Sequence, residues 1–244
     1  MLGEVRRVRL GPHVEVHLTG ARIGGVADAN LAHHRPHVPA ALAAARARVG
    51  ELTGTDPADW TMMRQVHGAA VGDADAVARG TEVREVDALV TRSSDRPLVV
   101  LTADCVPLVI AGASALAVAH AGWRGVAADV AGRTVEAMLG AGEQRETLRA
   151  MVGPSIGACC YAVGEEVRSA VAGISADALA TTRDDRPAVD LVAACAAQLA
   201  AFGVGLDTSA WECTSCGPGG WFSHRRDPAS GRQATIAMRR EVAA

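Results

Sequence analysis

A chain of 244 residues, 49% of them hydrophobic, can bury a sizeable core, and its formal net charge of −3 supplies no basic field for nucleic acid. It holds no run of about 18 apolar residues, which argues against a membrane span. Met1 to Arg7 lacks the basic-then-apolar order of a signal peptide, so a cytoplasmic location is expected, with the cysteines present as thiols or metal ligands rather than disulfides.

Val5 to Leu10 and Val14 to Leu18 alternate apolar and polar residues around Gly11-Pro12, which predicts a β-hairpin. Arg22 to Val26 reads as a loop with paired glycines, and His37 to Val49 as an alanine-rich helix. Trp60 to Gln65 and Val86 to Thr91 read as strands. Leu98 to Leu101, Leu108 to Ala111 and Ala115 to Ala119 are short apolar runs between turn residues, the pattern of buried strands. Gly125 to Gly140 has helical spacing and ends in glycine. Leu148 to Val152 is a further buried strand, Gly164 to Val171 and Val189 to Phe202 are helical, and Ala210 to Cys213 and Thr235 to Met238 are late strands. Strands and helices alternate without a strict βαβ period. The expected class is α/β (or α+β): one domain over residues 1–244, a three-layer α/β/α arrangement with a mixed sheet.

All 24 basic residues are arginine. That excludes a Schiff-base or P-loop lysine and leaves the arginine fork, or backbone amides, to hold any anion.

Three segments carry chemistry: Gln65-Val66-His67-Gly68, Thr102-Ala103-Asp104-Cys105 and His120-Ala121-Gly122-Trp123-Arg124-Gly125. Each puts a borderline or soft ligand, His67, Cys105 or His120, near the end of a strand. Two imidazoles and a thiolate suffice to hold zinc while leaving a fourth position open, as in catalytic rather than structural sites. Taken singly, each has a plainer reading, a small buried cysteine or a hydrogen-bonded histidine. Cys213-Thr214-Ser215-Cys216 is a lone CxxC without a second pair at metal-binding spacing, and reads as reduced thiols in a glycine-rich loop. Cys159 and Cys160 are adjacent, which makes it hard for both to face one ion; Cys195 reads as helix core.

From about Arg22 to Met238 the chain resembles the YfiH-type multicopper polyphenol oxidoreductase, or laccase-domain, family. The resemblance rests on Arg22-Ile23-Gly24-Gly25-Val26, the three segments above, Asp87-Ala88-Leu89-Val90-Thr91, Gly153-Pro154-Ser155-Ile156-Gly157 with Cys159-Cys160-Tyr161, and Ser223-His224-Arg225-Arg226-Asp227 followed by Gly231-Arg232. It implies a three-layer fold, related to Cys–His deamidating toxins, and zinc on His67, Cys105 and His120. It also implies phosphorolysis of adenosine, inosine, guanosine and methylthioadenosine, plus deamination of adenosine. Some relatives are similar to amidases that edit peptidoglycan precursors.

On that basis the partners are a purine nucleoside and phosphate, with no nucleic acid or membrane. Cys105 and His120 are the catalytic candidates, with Asp104 either a proton shuttle or a strand-end turn residue. Arg124, Arg225 and Arg226 are candidates for phosphate, since guanidinium suits it, and each could equally serve as a surface ion-pair partner. Arg22 and Gln65 are further substrate-binding candidates, with a loop charge and a strand-edge hydrogen bond as their plainer roles. Eight histidines without a His-x-His pair give poor support to a multicopper oxidase, although a single site could accept copper in vitro. A Cys–His hydrolase with Cys105 as nucleophile and a non-catalytic binding protein are the alternatives. Departures from the family pattern include the shortened stretch after Gly25, Ala162 in place of Glu, and His224 in place of Tyr.

Overall fold

The computed structural model describes residues 5–26 and 28–240. In chain order the strands and helices are β1 (Arg6–Leu10), β2 (Val14–Leu18), α1 (Pro39–Thr53), β3 (Thr61–Arg64), β4 (Val71–Asp73), β5 (Glu82–Arg84) and β6 (Ala88–Thr91). Next come β7 (Leu98–Thr102), β8 (Val106–Ala111), β9 (Leu116–Ala121), α2 (Trp123–Ala127), α3 (Val130–Gly140) and β10 (Arg149–Val152). The last group is α4 (Glu165–Ala172), β11 (Leu179–Thr181), β12 (Pro187–Val189), α5 (Leu191–Ala200), β13 (Leu206–Asp207) and β14 (Gln233–Arg239).

The layered α/β arrangement is present, with a middle layer made of two mixed sheets rather than one. The first runs β1-β2-β14-β7-β3-β5 and the second β13-β10-β8-β9-β6-β4; β11 and β12 form a separate small pair. Period-two alternation explains the doubling. Leu98 and Val100 of β7 point into the space between the sheets, where they meet Val109 and Val118. Val99 and Leu101, on the opposite face of β7, pack with Ala45 and Val49 of α1. On the second sheet, Leu108, Ile110, Ala117 and Ala119 face Val135, Met138 and Leu199 of α3 and α5. Central strands buried on both faces therefore read as unbroken apolar runs.

Local chemistry moves several boundaries. The expected helix over Gly125 to Gly140 is broken at Asp129, which takes a left-handed backbone (φ 63°) and caps α3 by accepting from the Gly132 N–H. Asp190 accepts from the Val192 and Ala193 N–H groups, so α5 starts later than expected and Pro187–Val189 is a strand instead. The expected strand over Ala210 to Cys213 is a turn region whose ladder pairing is reduced to one isolated bridge, between Ser155 and Cys213. Among the described residues no helix is long and apolar enough to cross a membrane.

The chain passes from the first sheet to the second through Ala103-Asp104-Cys105, between β7 and β8. Val106 then pairs with Ala121 and Pro107 with His120, which brings Cys105 and His120 to the same sheet end.

Candidate functional site

His67 stands in the turn after β3 with a left-handed backbone (φ 62°), an unusual conformation for a residue with a side chain. One carboxylate sustains that turn. Asp87, fully buried just before β6, accepts the backbone N–H groups of Val66 (3.1 Å) and Gly68 (2.7 Å) on Oδ2 and that of His67 (2.9 Å) on Oδ1. The same Oδ1 lies 2.8 Å from His120 Nδ1. Asp87 thus orients one imidazole through its ring nitrogen and the other through its backbone. Sequence reasoning placed Asp87 in a motif but gave it no role.

One ligand atom each from His67, Cys105 and His120 falls within 4.8 Å of the other two. The two imidazoles meet edge to face, with centroids 4.7 Å apart. Gly122 makes this approach possible: a Cβ there would sit 2.9 Å from His67 Cδ2 and 3.1 Å from Cys105 Sγ. With His120 Nδ1 engaged by Asp87, its Nε2 is the nitrogen turned toward Cys105 and available to an ion, and the carboxylate behind a ligating imidazole is a common support of metal sites. The donor set and its spacing therefore fit a zinc ion.

Burial alone would raise the Cys105 thiol pKa, but the His120 charge and hydrogen bond, with help from His67, bring it down to about 6. For His120 burial acts downward; the Cys105 charge and the Asp87 hydrogen bond outweigh it and raise the pKa to about 9. Without a metal, the two form a thiolate–imidazolium pair near neutrality. Asp87 is held below the ordinary carboxylate range, as the His120 and backbone hydrogen bonds overcome the upward effect of burial.

The trio opens into a cleft of about 470 Å³, within the range of small-molecule sites. Its walls carry Arg35, Arg124, Arg225, Arg232, His34 and Tyr161, with Asp104 the lone carboxylate. Arg124 lies over the Trp123 ring (4.3 Å) and Arg225 over Tyr161 (5.0 Å), so two guanidinium groups are braced on aromatic faces. Burial, followed by the Arg35 charge, lowers the Arg232 pKa; burial, His33 and Arg232 lower that of His34. Such mutual crowding of cations marks a field that an anion would relieve.

The residues singled out from sequence fall into distinct places. His67, Cys105, His120, Gln65, Arg124, Arg225 and Asp104 all line the cleft. Asp104, with a left-handed backbone (φ 92°), has both carboxylate oxygens engaged: Oδ1 accepts from Thr214 Oγ1 and Oδ2 from the Arg225 N–H, each at 2.6 Å. Gln65 bridges to Leu101 through both its amide groups. Arg226 lies outside the cleft lining and donates to the carbonyls of Thr214, Ser215 and Trp221, closing its own loop. Arg22 is exposed and also lies outside the lining. His34, Arg35, Tyr161 and Arg232 line the cleft without having been singled out as substrate contacts.

A family model described as multi-copper polyphenol oxidoreductase laccase matches residues 16–240. The chain belongs to this family. It is 39% identical over 221 residues to the purine nucleoside phosphorylase ORF3 of Streptomyces griseus, covering 87% of this chain and 89% of that one. A Mycobacterium bovis protein named purine nucleoside phosphorylase is 36% identical over 97% of this chain and 98% of its own length. Among solved structures, the Bacillus licheniformis hypothetical protein YfiH superposes with a TM-score of 0.84 at 26% identity, over 92% of both chains. Neisseria meningitidis protein NMB0706 does so with a TM-score of 0.84 at 28% identity, over 97% of this chain and 99% of that one. Despite the family's title, neither group of metal-ligating side chains among the described residues offers the many imidazoles of a coupled copper cluster.

Proposed function

We propose that the cleft binds a purine nucleoside beside inorganic phosphate and catalyses phosphorolysis, with adenosine deamination as a second activity and zinc on His67, Cys105 and His120. One observation carries this reading: a two-imidazole, one-thiolate centre opens into a cleft whose wall charges are almost all cationic, in a chain similar to proteins named purine nucleoside phosphorylase.

In phosphorolysis a phosphate oxygen bonds to C1′ of the ribose, the C1′–N9 bond breaks, and its electron pair leaves with the purine, which takes up a proton. Adenosine, inosine, guanosine and methylthioadenosine all present that bond. On this reading Arg124 and Arg225 hold the phosphate, each guanidinium braced on a ring. Arg232 and Arg35 add charge from the opposite segment. Burial and the nearby Cys105 charge push Tyr161 up to about 12, and its phenol O–H lines the cleft as a donor for the substrate. Asp87 fixes which His120 nitrogen faces the cleft. Zinc held by His67, Cys105 and His120 would supply Lewis-acid chemistry to the cleft.

Deamination replaces the C6 amino group with oxygen from water and releases ammonia. Purified protein incubated with adenosine, with and without phosphate, tests the reading by chromatography. Adenine and ribose 1-phosphate support phosphorolysis; inosine with neither adenine nor hypoxanthine leaves deamination and removes phosphorolysis.

A second reading has its own observation. Asp87, His120 and Cys105 form a carboxylate–imidazole–thiol array, the order found in cysteine hydrolases. Amide hydrolysis by metal-free protein, lost in Cys105→Ala, would favour it.

A further inference from the structure

The glycine-rich loops behind the cleft hold a second cluster. Cys159, Cys160, Cys213 and Cys216 bring their four sulfurs within 4.8 Å of one another. The expectation that adjacent Cys159 and Cys160 would hardly face one ion, and that the CxxC lacks a companion pair, is corrected by the loop geometry. Cys160 N–H donates to the Gly157 carbonyl and Tyr161 N–H to that of Ala158, so the chain coils tightly enough for both sulfurs to turn the same way. Opposite them, Gly217 N–H donates to the Cys213 carbonyl at 2.7 Å, folding the CxxC into a one-turn knuckle. The two loops are locked side by side by Ser155 N–H to the Glu212 carbonyl and Thr214 N–H to the Ser155 carbonyl.

We propose that these four cysteines form a structural zinc site, a tetrathiolate centre separate from the cleft. Three features converge on it. Four thiolates are a complete ligand set for structural zinc. Sulfurs bonded at about 2.3 Å to a tetrahedral ion lie roughly 3.8 Å apart; Cys159 Sγ and Cys216 Sγ are 3.7 Å apart. The backbone N–H of Gly157 donates to Cys213 Sγ (3.3 Å), a donor that would stabilise a metal-bound thiolate.

The position gives the site a purpose. Cys160 is followed directly by Tyr161, and the Cys213–Cys216 loop carries Thr214, which holds Asp104, and offers its carbonyls to Arg226. Arg225 in turn donates to the Ala162 carbonyl. Zinc here would pin together the loops that present Tyr161 and Arg225 to the cleft.

The test separates the two centres. His67→Ala/His120→Ala protein, grown with zinc and purified without a metal-binding tag, should carry one zinc per chain. X-ray absorption should give it a shell of four sulfurs. Cys159→Ser/Cys216→Ser should lose that ion and keep the other. Should the serine variant fail to fold, cobalt(II) exchanged into the His67→Ala/His120→Ala protein decides: strong thiolate-to-cobalt charge-transfer absorption is expected. Folded His67→Ala/His120→Ala protein without metal, an iron–sulfur spectrum, or a Cys159–Cys216 disulfide by intact mass would overturn the proposal. None of these outcomes depends on purine turnover.

Discussion

Replacing Asp87 with asparagine changes no volume and removes one charge, which makes it a sharp test of how the site is held. The native carboxylate accepts four hydrogen bonds, two on each oxygen: His67 N–H and His120 Nδ1 on one, Val66 and Gly68 N–H on the other. An amide can accept on one oxygen only, and either way it turns its NH₂ toward two donors. Two charge-assisted bonds are lost at about 1.5–3 kcal/mol each, and with partial relaxation a net loss of about 3 kcal/mol is expected. For a domain of this size that lowers Tm by about 6–12 °C. Calorimetry with elemental analysis of the same sample is the assay, and reduced metal content should accompany the lower Tm. A Tm within about 2 °C of wild type, with metal retained, would refute the view that Asp87 organises both histidines. The native contribution is itself pH-dependent: with its pKa held below the ordinary carboxylate value, Asp87 stabilises fully above about pH 4 and progressively less as pH falls below it.

Gly122→Ala should cut metal affinity and activity by at least about 10-fold, equivalent to about 1.4 kcal/mol, since the new Cβ meets His67 and Cys105; isothermal titration with zinc measures it. Arg124→Ala should raise the KM for phosphate by about 10-fold or more, the scale of one lost charge-assisted bond. Arg226→Ala should instead lower Tm and leave the phosphate KM unchanged, as its guanidinium serves three loop carbonyls; steady-state kinetics and melting separate the two. In metal-free protein, alkylation of Cys105 should rise with pH through about 6, the thiolate being the reactive form. Folding lowers the Cys105 pKa to about 6 and raises that of His120 to about 9, so near neutrality the pair holds one proton folded or unfolded, and its contribution to stability should vary little with pH.

The apolar runs at Leu98, Leu108 and Ala115 were legible because strands buried on both faces need no alternation. That same burial concealed the division into two sheets: Leu98 and Val99 look alike in sequence, yet face different layers. The clustering of His67, Cys105 and His120 was readable because borderline and soft ligands are few and each sits near a strand end. Asp87 was not, because three of its four partners are backbone N–H groups, which leave no trace in sequence. Cys159 and Cys160 were misjudged for a related reason: whether adjacent sulfurs converge depends on the turn that carries them. Arg226 and Arg225 are neighbours of the same type, and only the loop's fold sends one to its own carbonyls and the other to the cleft.

In the proposed function one metal centre, on His67, Cys105 and His120, drives purine nucleoside phosphorolysis in this cleft. It is tested most directly by measuring metal content and phosphate-dependent release of adenine from adenosine together, in wild type and in Cys105→Ala. The variant should lose both the cleft zinc and the release of adenine. Phosphorolysis at the wild-type rate in Cys105→Ala, or none by zinc-loaded wild type, would contradict it.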